Sequence, residues 1–335
     1  INLFSEIVQF DDETIETHLA LGVLFRKQGK IDQAVKLHQN ILLKKELPEQ
    51  HYYHALEELA EDYYSAGLYD KSEELFIKLI DIKGHRINSL NKLIQIYEFT
   101  CDWHQAISRL HSLNKLDPNN EYQTNESHYL CQIAENYIAN KDFDQANQYI
   151  DKAKQVNSKS VRILFLSIQI ELNRGNFYQA TVLYKSLAQN SNLGHLVLLP
   201  EFFSMANNKD QVEKINNVLQ RICSENHEVI KYLALLAITD IRINEEIIVA
   251  AFYEYLSNEL YFEEILLFND TQSITNIVDE KTLNNIRNKL NKKVANNYKY
   301  RCNQCGYQTI KLTWQCPTCR HWETATSIDF VHSND

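Results

Sequence analysis

The feature that most constrains this chain is a unit of about three dozen residues that recurs through its first 190 positions. The run His18-Leu19-Ala20-Leu21-Gly22-Val23-Leu24-Phe25 leads to Gly29 and then to Ala34, His38 and Ile41. Leu59-Ala60, Tyr63, Gly67, Ser72 and Phe76 repeat the pattern. So do Leu93-Ile94, Tyr97, Ala106 and Leu110, closed by Asp117-Pro118; then Ile133-Ala134, Tyr137, Ala146 and Ile150; then Ile168, Gly175, Ala180 and Tyr184. A small residue near the start of each second half falls at 34, 72, 106, 146 and 180, in steps of 38, 34, 40 and 34 residues. Apolar positions at helical spacing, interrupted once per unit, describe a hairpin of two helices. The small residue lets the two approach closely, and larger side chains fill the space between them.

This is the tetratricopeptide pattern, whose period is about 34 residues. Such a hairpin carries an apolar stripe too large to leave in water, and it buries that stripe only against its neighbours. An unrelated helical bundle is the competing reading, and the shared small-residue position argues against it. Only 7 Gly and 4 Pro occur in 335 residues, with 44% hydrophobic content, so sandwiches and barrels, which need many turns, are disfavoured. The expected class is all-α: a tetratricopeptide-repeat solenoid with a small C-terminal metal module.

Beyond residue 190 the signature glycines stop. Leu193–Asn207 with Asp210–Cys223, and Glu228–Ile243 with Glu245–Leu256, read as degenerate helix pairs. Asp279–Val294 reads as a basic amphipathic helix with Leu283, Ile286, Leu290 and Val294 on one face. The expected organisation is therefore 1–14 as the remnant of an N-terminal repeat, 15–190 as five repeats, 191–297 as degenerate repeats and the basic helix, and 298–335 as the metal module.

At Tyr300 the texture changes. Cys302 and Cys305 are separated by two residues, as are Cys316 and Cys319, and ten residues lie between the pairs. Two-residue spacing lets both sulfurs of a turn face one ion, and two such turns supply four thiolates in a tetrahedron. Gly306 suits a backbone that turns with positive φ, Pro317 stiffens the second turn, and Tyr307–Trp314 alternates like a short hairpin between the knuckles. A compact zinc-ribbon or rubredoxin-like knuckle fits this spacing, holding one metal ion, iron or zinc. A closed shell of four cysteines leaves no position for substrate, so the ion is expected to be structural, with iron redox turnover and a thioredoxin-like dithiol as alternatives. Trp314, Trp322 and Tyr307 are expected to lay their rings on an adjoining helix, because so small a core gains from docking.

Seven cysteines are an odd number, and Cys101, Cys131 and Cys223 stand alone in helical segments, which speaks against a secreted disulfide framework and for small buried apolar residues in a reducing compartment. The net charge of −10 argues against a nucleic-acid partner. The charge is uneven, however: residues 281–335 hold nine Lys and Arg against three acids, leaving −16 for the first 280. The basic stretch Lys281–Arg301 is a candidate for anionic lipid contact, with a solvated helix face as the plainer reading. No apolar run reaches the length of a membrane span. Ile1-Asn2-Leu3-Phe4 opens without Met and already in helical rhythm, so nothing follows about a signal or anchor upstream.

By their register on first helices, His54, Glu57, Glu61, Tyr64, Asn91, Gln95, Glu98 and Glu135 are expected to line the concave face, as an acidic groove for a partner segment bearing Lys or Arg. No paired carboxylates, nucleophile elbow or phosphate loop stands out, so no catalytic residue is assigned.

A repeat array ending in Tyr300-Arg301-Cys302, Cys305-Gly306-Tyr307, Trp314 and Cys316-Pro317-Thr318-Cys319-Arg320 closely resembles the lipopolysaccharide assembly protein B family of Gram-negative bacteria. The resemblance extends from His18–Arg26 through Asp62-Tyr63-Tyr64-Ser65-Ala66-Gly67-Leu68-Tyr69-Asp70 to the knuckles. It implies an inner-membrane protein with an N-terminal anchor and a cytoplasmic body. It further implies an adaptor that presents the deacetylase of the committed step of lipid A synthesis to a membrane-bound AAA+ metalloprotease, with a membrane sensor protein as its antagonist. It also implies that Cys302, Cys305, Cys316 and Cys319 are the metal ligands. A general scaffold or tether for lipopolysaccharide assembly factors is the alternative.

Overall fold

The computed structural model describes residues 12–116, 123–190, 209–225 and 300–327, with isolated positions between 197 and 206. The elements are α1 (Asp12–Lys27), α2 (Ile31–Leu42), α3 (Glu49–Ser65), α4 (Tyr69–Leu79), α5 (Arg86–Thr100), α6 (Trp103–Leu116), α7 (Gln123–Ala139), α8 (Phe143–Val156), α9 (Val161–Asn173), α10 (Phe177–Asn190), α11 (Lys209–Glu225), β1 (Tyr300–Cys302), β2 (Gln308–Thr309) and β3 (Ala325–Ser327). The helices α1 to α10 are thus five hairpins, one for each sequence unit. The remnant at Ile1–Phe10, the helices at Glu228–Leu256, the basic helix at Asp279–Val294 and most of Leu193–Asn207 lie outside the described residues. The chain divides into two compact units, residues 1–129 and 130–335, with the boundary inside α7.

Each hairpin turn is built the same way. The first helix ends with a left-handed residue at Gly29, Gly67, Cys101, Lys141 and Gly175, with φ between 59° and 77°. The next residue donates its backbone N–H to the carbonyl five positions back: Lys30 to Phe25, Leu68 to Tyr63, Asp102 to Tyr97, Asp142 to Tyr137 and Asn176 to Glu171, all at 2.9 Å. This Schellman closure satisfies carbonyls that the helix end would leave bare and reverses the chain in two residues. Two of the five turns use a residue with a Cβ, and Cys101 corrects an expectation: it is exposed, because the left-handed cap faces solvent. Cys131 is buried as expected, and burial pushes its thiol up to about 12. The side chain of Cys223 is outside the described set.

Behind the turns, Ala34, Ser72, Ala106, Ala146 and Ala180 are all fully buried, each at the close approach of its two helices. Four residues further on, His38, Phe76, Leu110, Ile150 and Tyr184 form the second row of the core, four apolar side chains and one histidine. The histidine sits against Gly22, where an added Cβ would fall 2.2 Å from His38 Nε2. Its Nδ1 lies 2.5 Å from Asp62 Oδ2, and Arg26 donates to Asp62 Oδ1 at 2.7 Å and to Glu58 Oε2 at 2.6 Å. A buried charged cluster therefore ties the first hairpin to the second, and His38, Asp62 and Arg26 supply each other's partners. Burial pushes the Glu58 carboxyl up, but His54 and Arg26 outweigh it and hold it down at about 2.

Two outcomes follow for the full chain. Gly22→Ala forces His38 out of its seat and lowers stability by about 2 kcal/mol, read as a lower urea midpoint with unchanged slope. Because the folded-state value of Glu58 lies below its ordinary 4.5, its carboxylate adds stability that is complete above about pH 4.5 and is lost as pH falls towards 2. Glu58→Gln then costs about 3 kcal/mol at neutral pH and removes that part of the acid sensitivity, measured by urea unfolding across the same pH range.

Candidate metal centre and first-helix faces

The knuckles are two copies of one turn. In the first, Cys302 donates its N–H to Tyr307 O at 2.8 Å and Gly306 donates to Cys302 O at 2.9 Å. In the second, Cys316 donates to His321 O and Arg320 to Cys316 O, both at 2.9 Å. Gly306 and Arg320 occupy the same place after the second cysteine, with φ of +76° and +62°. The sheet has the order β2-β1-β3, with both pairs antiparallel. The expected hairpin inside Tyr307–Trp314 is corrected. The first knuckle is instead the turn of the β1–β2 hairpin, and the second is enclosed by the bridge between Gln315 and Trp322. A two-residue sulfur turn needs its flanks paired to each other, so pairing falls across each knuckle and not between them. Strand β3 lies beyond both.

This brings Cys302, Cys305, Cys316 and Cys319 together with all four Sγ atoms within 4.8 Å of one another. Cys302 and Cys319 are 3.6 Å apart and Cys305 and Cys316 3.5 Å, far beyond a disulfide bond. Four sulfurs at about 2.3 Å from a zinc ion stand about 3.8 Å from one another, so the cluster fits one tetrahedral ion. Iron or zinc suits four thiolates, and the donor set leaves no coordination position open.

The module sits against α9, within the second unit. Arg162 is fully buried, and its guanidinium pairs with Glu135 at 2.8 Å. Trp314 and Trp322 present their rings to it with centroids at 5.7 Å and 5.6 Å. Trp314 meets Phe165 edge-on at 5.4 Å, and Ser160 donates its hydroxyl to Glu323 at 2.6 Å. Held between two indoles and a carboxylate, Arg162 exchanges water for cation–π and ionic contacts. Trp314 and Trp322 dock as their position beside the knuckles suggests. Tyr307 does not: it is 40% exposed. Arg162 was visible only as the single cation near the start of an otherwise apolar helix, Val-Arg-Ile-Leu-Phe-Leu.

Most of the residues expected on the first-helix face are engaged with side chains of the neighbouring repeat. Glu57 accepts from His85 Nδ1 at 2.7 Å and Asn88 at 2.6 Å, Glu61 pairs with Lys92 at 2.8 Å, and Tyr64 donates to Gln95 at 3.2 Å. Glu98 accepts from Tyr129 at 2.7 Å, and Glu135 holds Arg162. Each contact joins one first helix, or the turn before it, to the next, with 27 to 31 residues between partners. The carboxylates thus set the register of neighbouring repeats, and their charge is offset locally by Lys92 and Arg162. His54 is half exposed, with its pKa raised first by the hydrogen bond to Glu58, and Asn91 and Gln95 are exposed. Tyr64 also belongs to a ring cluster that the register did not reveal, with Tyr69 at 5.8 Å and the 44% exposed Phe99 at 6.1 Å.

Residues 300–325 match a zinc-ribbon family model described as the rubredoxin metal binding domain. Over 338 residues the chain is 28% identical to lipopolysaccharide assembly protein B of Escherichia coli strain K12, the match covering 98% of this chain and 85% of the relative. It is 27% identical over 351 residues to the protein of that name from Haemophilus influenzae, covering 100% and 86%. Among solved structures, a tetratricopeptide repeat protein from Parabacteroides merdae is similar with a TM-score of 0.38 and 15% identity, covering 82% of this chain and 99% of that one.

Metal binding and docking separate by mutation. Cys316→Ser abolishes stoichiometric metal by elemental analysis and shifts tryptophan emission to the red. Arg162→Ala keeps the metal but produces the same shift, with a loss of about 2 kcal/mol because Glu135 and both rings lose their partner.

Proposed function

Since this chain is homologous to lipopolysaccharide assembly protein B over almost its whole length, we propose that it is a non-enzymatic adaptor in lipopolysaccharide synthesis. It presents the deacetylase of the committed step of lipid A synthesis to a membrane-bound AAA+ metalloprotease, so that lipopolysaccharide production is limited. A membrane sensor protein of the pathway opposes it, and the body works on the cytoplasmic side of the inner membrane. The observation that carries this reading is the full-length similarity, in which repeats and four-cysteine module occur together.

Two physical features support an adaptor. Repeated hairpins present rows of first-helix side chains, a surface that holds partners without chemistry of its own. The closed tetrathiolate gives the ion a structural task, fixing Trp314 and Trp322 so that they can clamp Arg162. In this reading His54, Asn91 and Gln95 meet the partner segment, with the rings of Tyr64 and Phe99 beside them. Glu57, Glu61, Glu98 and Glu135 act indirectly by keeping the helices in register. Among the described residues no helix is long and apolar enough to cross a membrane.

The test is affinity capture of the full-length protein from cells in which it is the sole copy, with deacetylase lifetime measured in parallel. Wild type retains both protease and deacetylase. Asn91→Arg weakens deacetylase capture at least severalfold while metal content and unfolding stay unchanged. Cys316→Ser lengthens the deacetylase lifetime. A normal lifetime in cells whose only copy binds no metal overturns the proposal.

A further inference from the structure

Trp322, Glu323 and Thr324 are consecutive, yet they serve two different places. Trp322 lies over Arg162 and Glu323 accepts from Ser160, so both belong to the seat on α9. Thr324 instead reaches the cysteine cluster, with its Oγ1 3.2 Å from Cys302 Sγ. Backbone contacts fix it there: Asn303 donates its N–H to Thr324 O at 2.8 Å, and the next residue, Ala325, pairs with Cys302 across β1 and β3. The other hydrogen bonds onto these sulfurs from outside the cluster come from backbone N–H groups. Gln304 and Cys305 donate to Cys302, Tyr307 to Cys305 and His321 to Cys319. Among the described residues, Thr324 is thus the one side chain beyond the cysteines that bonds to a sulfur of the site.

A hydroxyl has one proton to give, and Thr324 Oγ1 has two acceptors in reach, Cys302 Sγ at 3.2 Å and His321 O at 3.5 Å. His321 O already accepts from the N–H of Cys316 at 2.9 Å, and 3.5 Å is long for a bond between two oxygens. A sulfur that ligates an ion carries no proton and can only accept, so the hydroxyl must be the donor. The contact is also shielded: Cys302 is 5% exposed, whereas Cys305 in the same knuckle is exposed. Away from water, a hydrogen bond to a charged acceptor keeps more of its strength. We propose that Thr324 is a positioning residue of the metal centre, whose hydroxyl orients the Cys302 sulfur and stabilises its negative charge, so that the ion is held more tightly. The inference rests on the four-cysteine ion site and not on the adaptor reading.

The test uses the full chain and compares residues that differ by the hydroxyl: wild type against Thr324→Val, and Thr324→Ser against Thr324→Ala. Competition with a chromophoric chelator reads zinc affinity, and loss of the hydroxyl weakens it about tenfold. With cobalt bound, the sulfur-to-metal charge-transfer absorption moves to longer wavelength. With iron bound, the reduction potential becomes more negative, because a sulfur without its donor stabilises the added electron less. Tryptophan emission stays at the wild-type position, since Trp314 and Trp322 keep their seat. If Thr324→Val alone shifts that emission, the comparison of Ser with Ala decides. A role in packing would follow the methyl group instead, so that Val matches wild type and Ser matches Ala. That pattern overturns the proposal, as does unchanged affinity, absorption and potential in both comparisons. A wild-type chain that holds no ion overturns the metal reading together with this one.

Discussion

A two-helix hairpin of this size has one stripe of apolar side chains and nothing of its own to cover it, so every unit depends on the next for burial. Within each unit, the buried alanine and serine row at 34, 72, 106, 146 and 180 is where its own two helices come closest. A Cβ-sized residue there sets the distance between helices, and that distance decides which first-helix side chains reach across to the following repeat. The polar contacts from Glu57, Glu61, Tyr64, Glu98 and Glu135 come after this spacing and rely on it. Apart from the pair of Glu135 with the buried Arg162, they contribute little individually, being partly solvated, but they specify register, which apolar packing alone leaves loose.

The first hairpin departs from the pattern in an instructive way. A histidine stands where the other four units have Phe, Leu, Ile or Tyr, and it is accepted because Gly22 makes room and Asp62 and Arg26 satisfy it. An apolar side chain would bury more surface with less risk. The charged cluster instead couples the first hairpin to the second in one arrangement only, since any shift leaves a carboxylate or a guanidinium buried without its partner.

Much of this was legible from the sequence, and the limits have physical causes. Small-residue spacing located all five hairpins, because close approach tolerates few side chains. The cysteine spacing located the metal cluster, because thiolate geometry tolerates little variation. The turns at Cys101 and Lys141 were missed as left-handed caps: helix packing imposes that conformation, and a non-glycine residue adopts it at a cost of about 1 kcal/mol. Strand pairing across each knuckle involves two or three residues, too few for alternation to show. The engagement of the first-helix carboxylates depends on partners one repeat away, which a reading of single helices does not reach. The seat of the module depends on Arg162, a lone cation whose partners lie 27 residues before it and about 150 after.

That separation has a consequence for how the chain behaves as a polymer. The hydrogen bond from Ser160 to Glu323 joins positions 163 residues apart. Closing a flexible loop of that length carries an entropic cost of about 4 to 5 kcal/mol. The clamp on Arg162 has to offset that cost in the folded state, unlike a disulfide, which acts by constraining the unfolded chain. Its fastener is an ion held by thiols, so it can be opened by chelation without cutting a covalent bond. Losing the metal would then be felt first at α9, where Arg162 and Glu135 would lose the two rings that cover them.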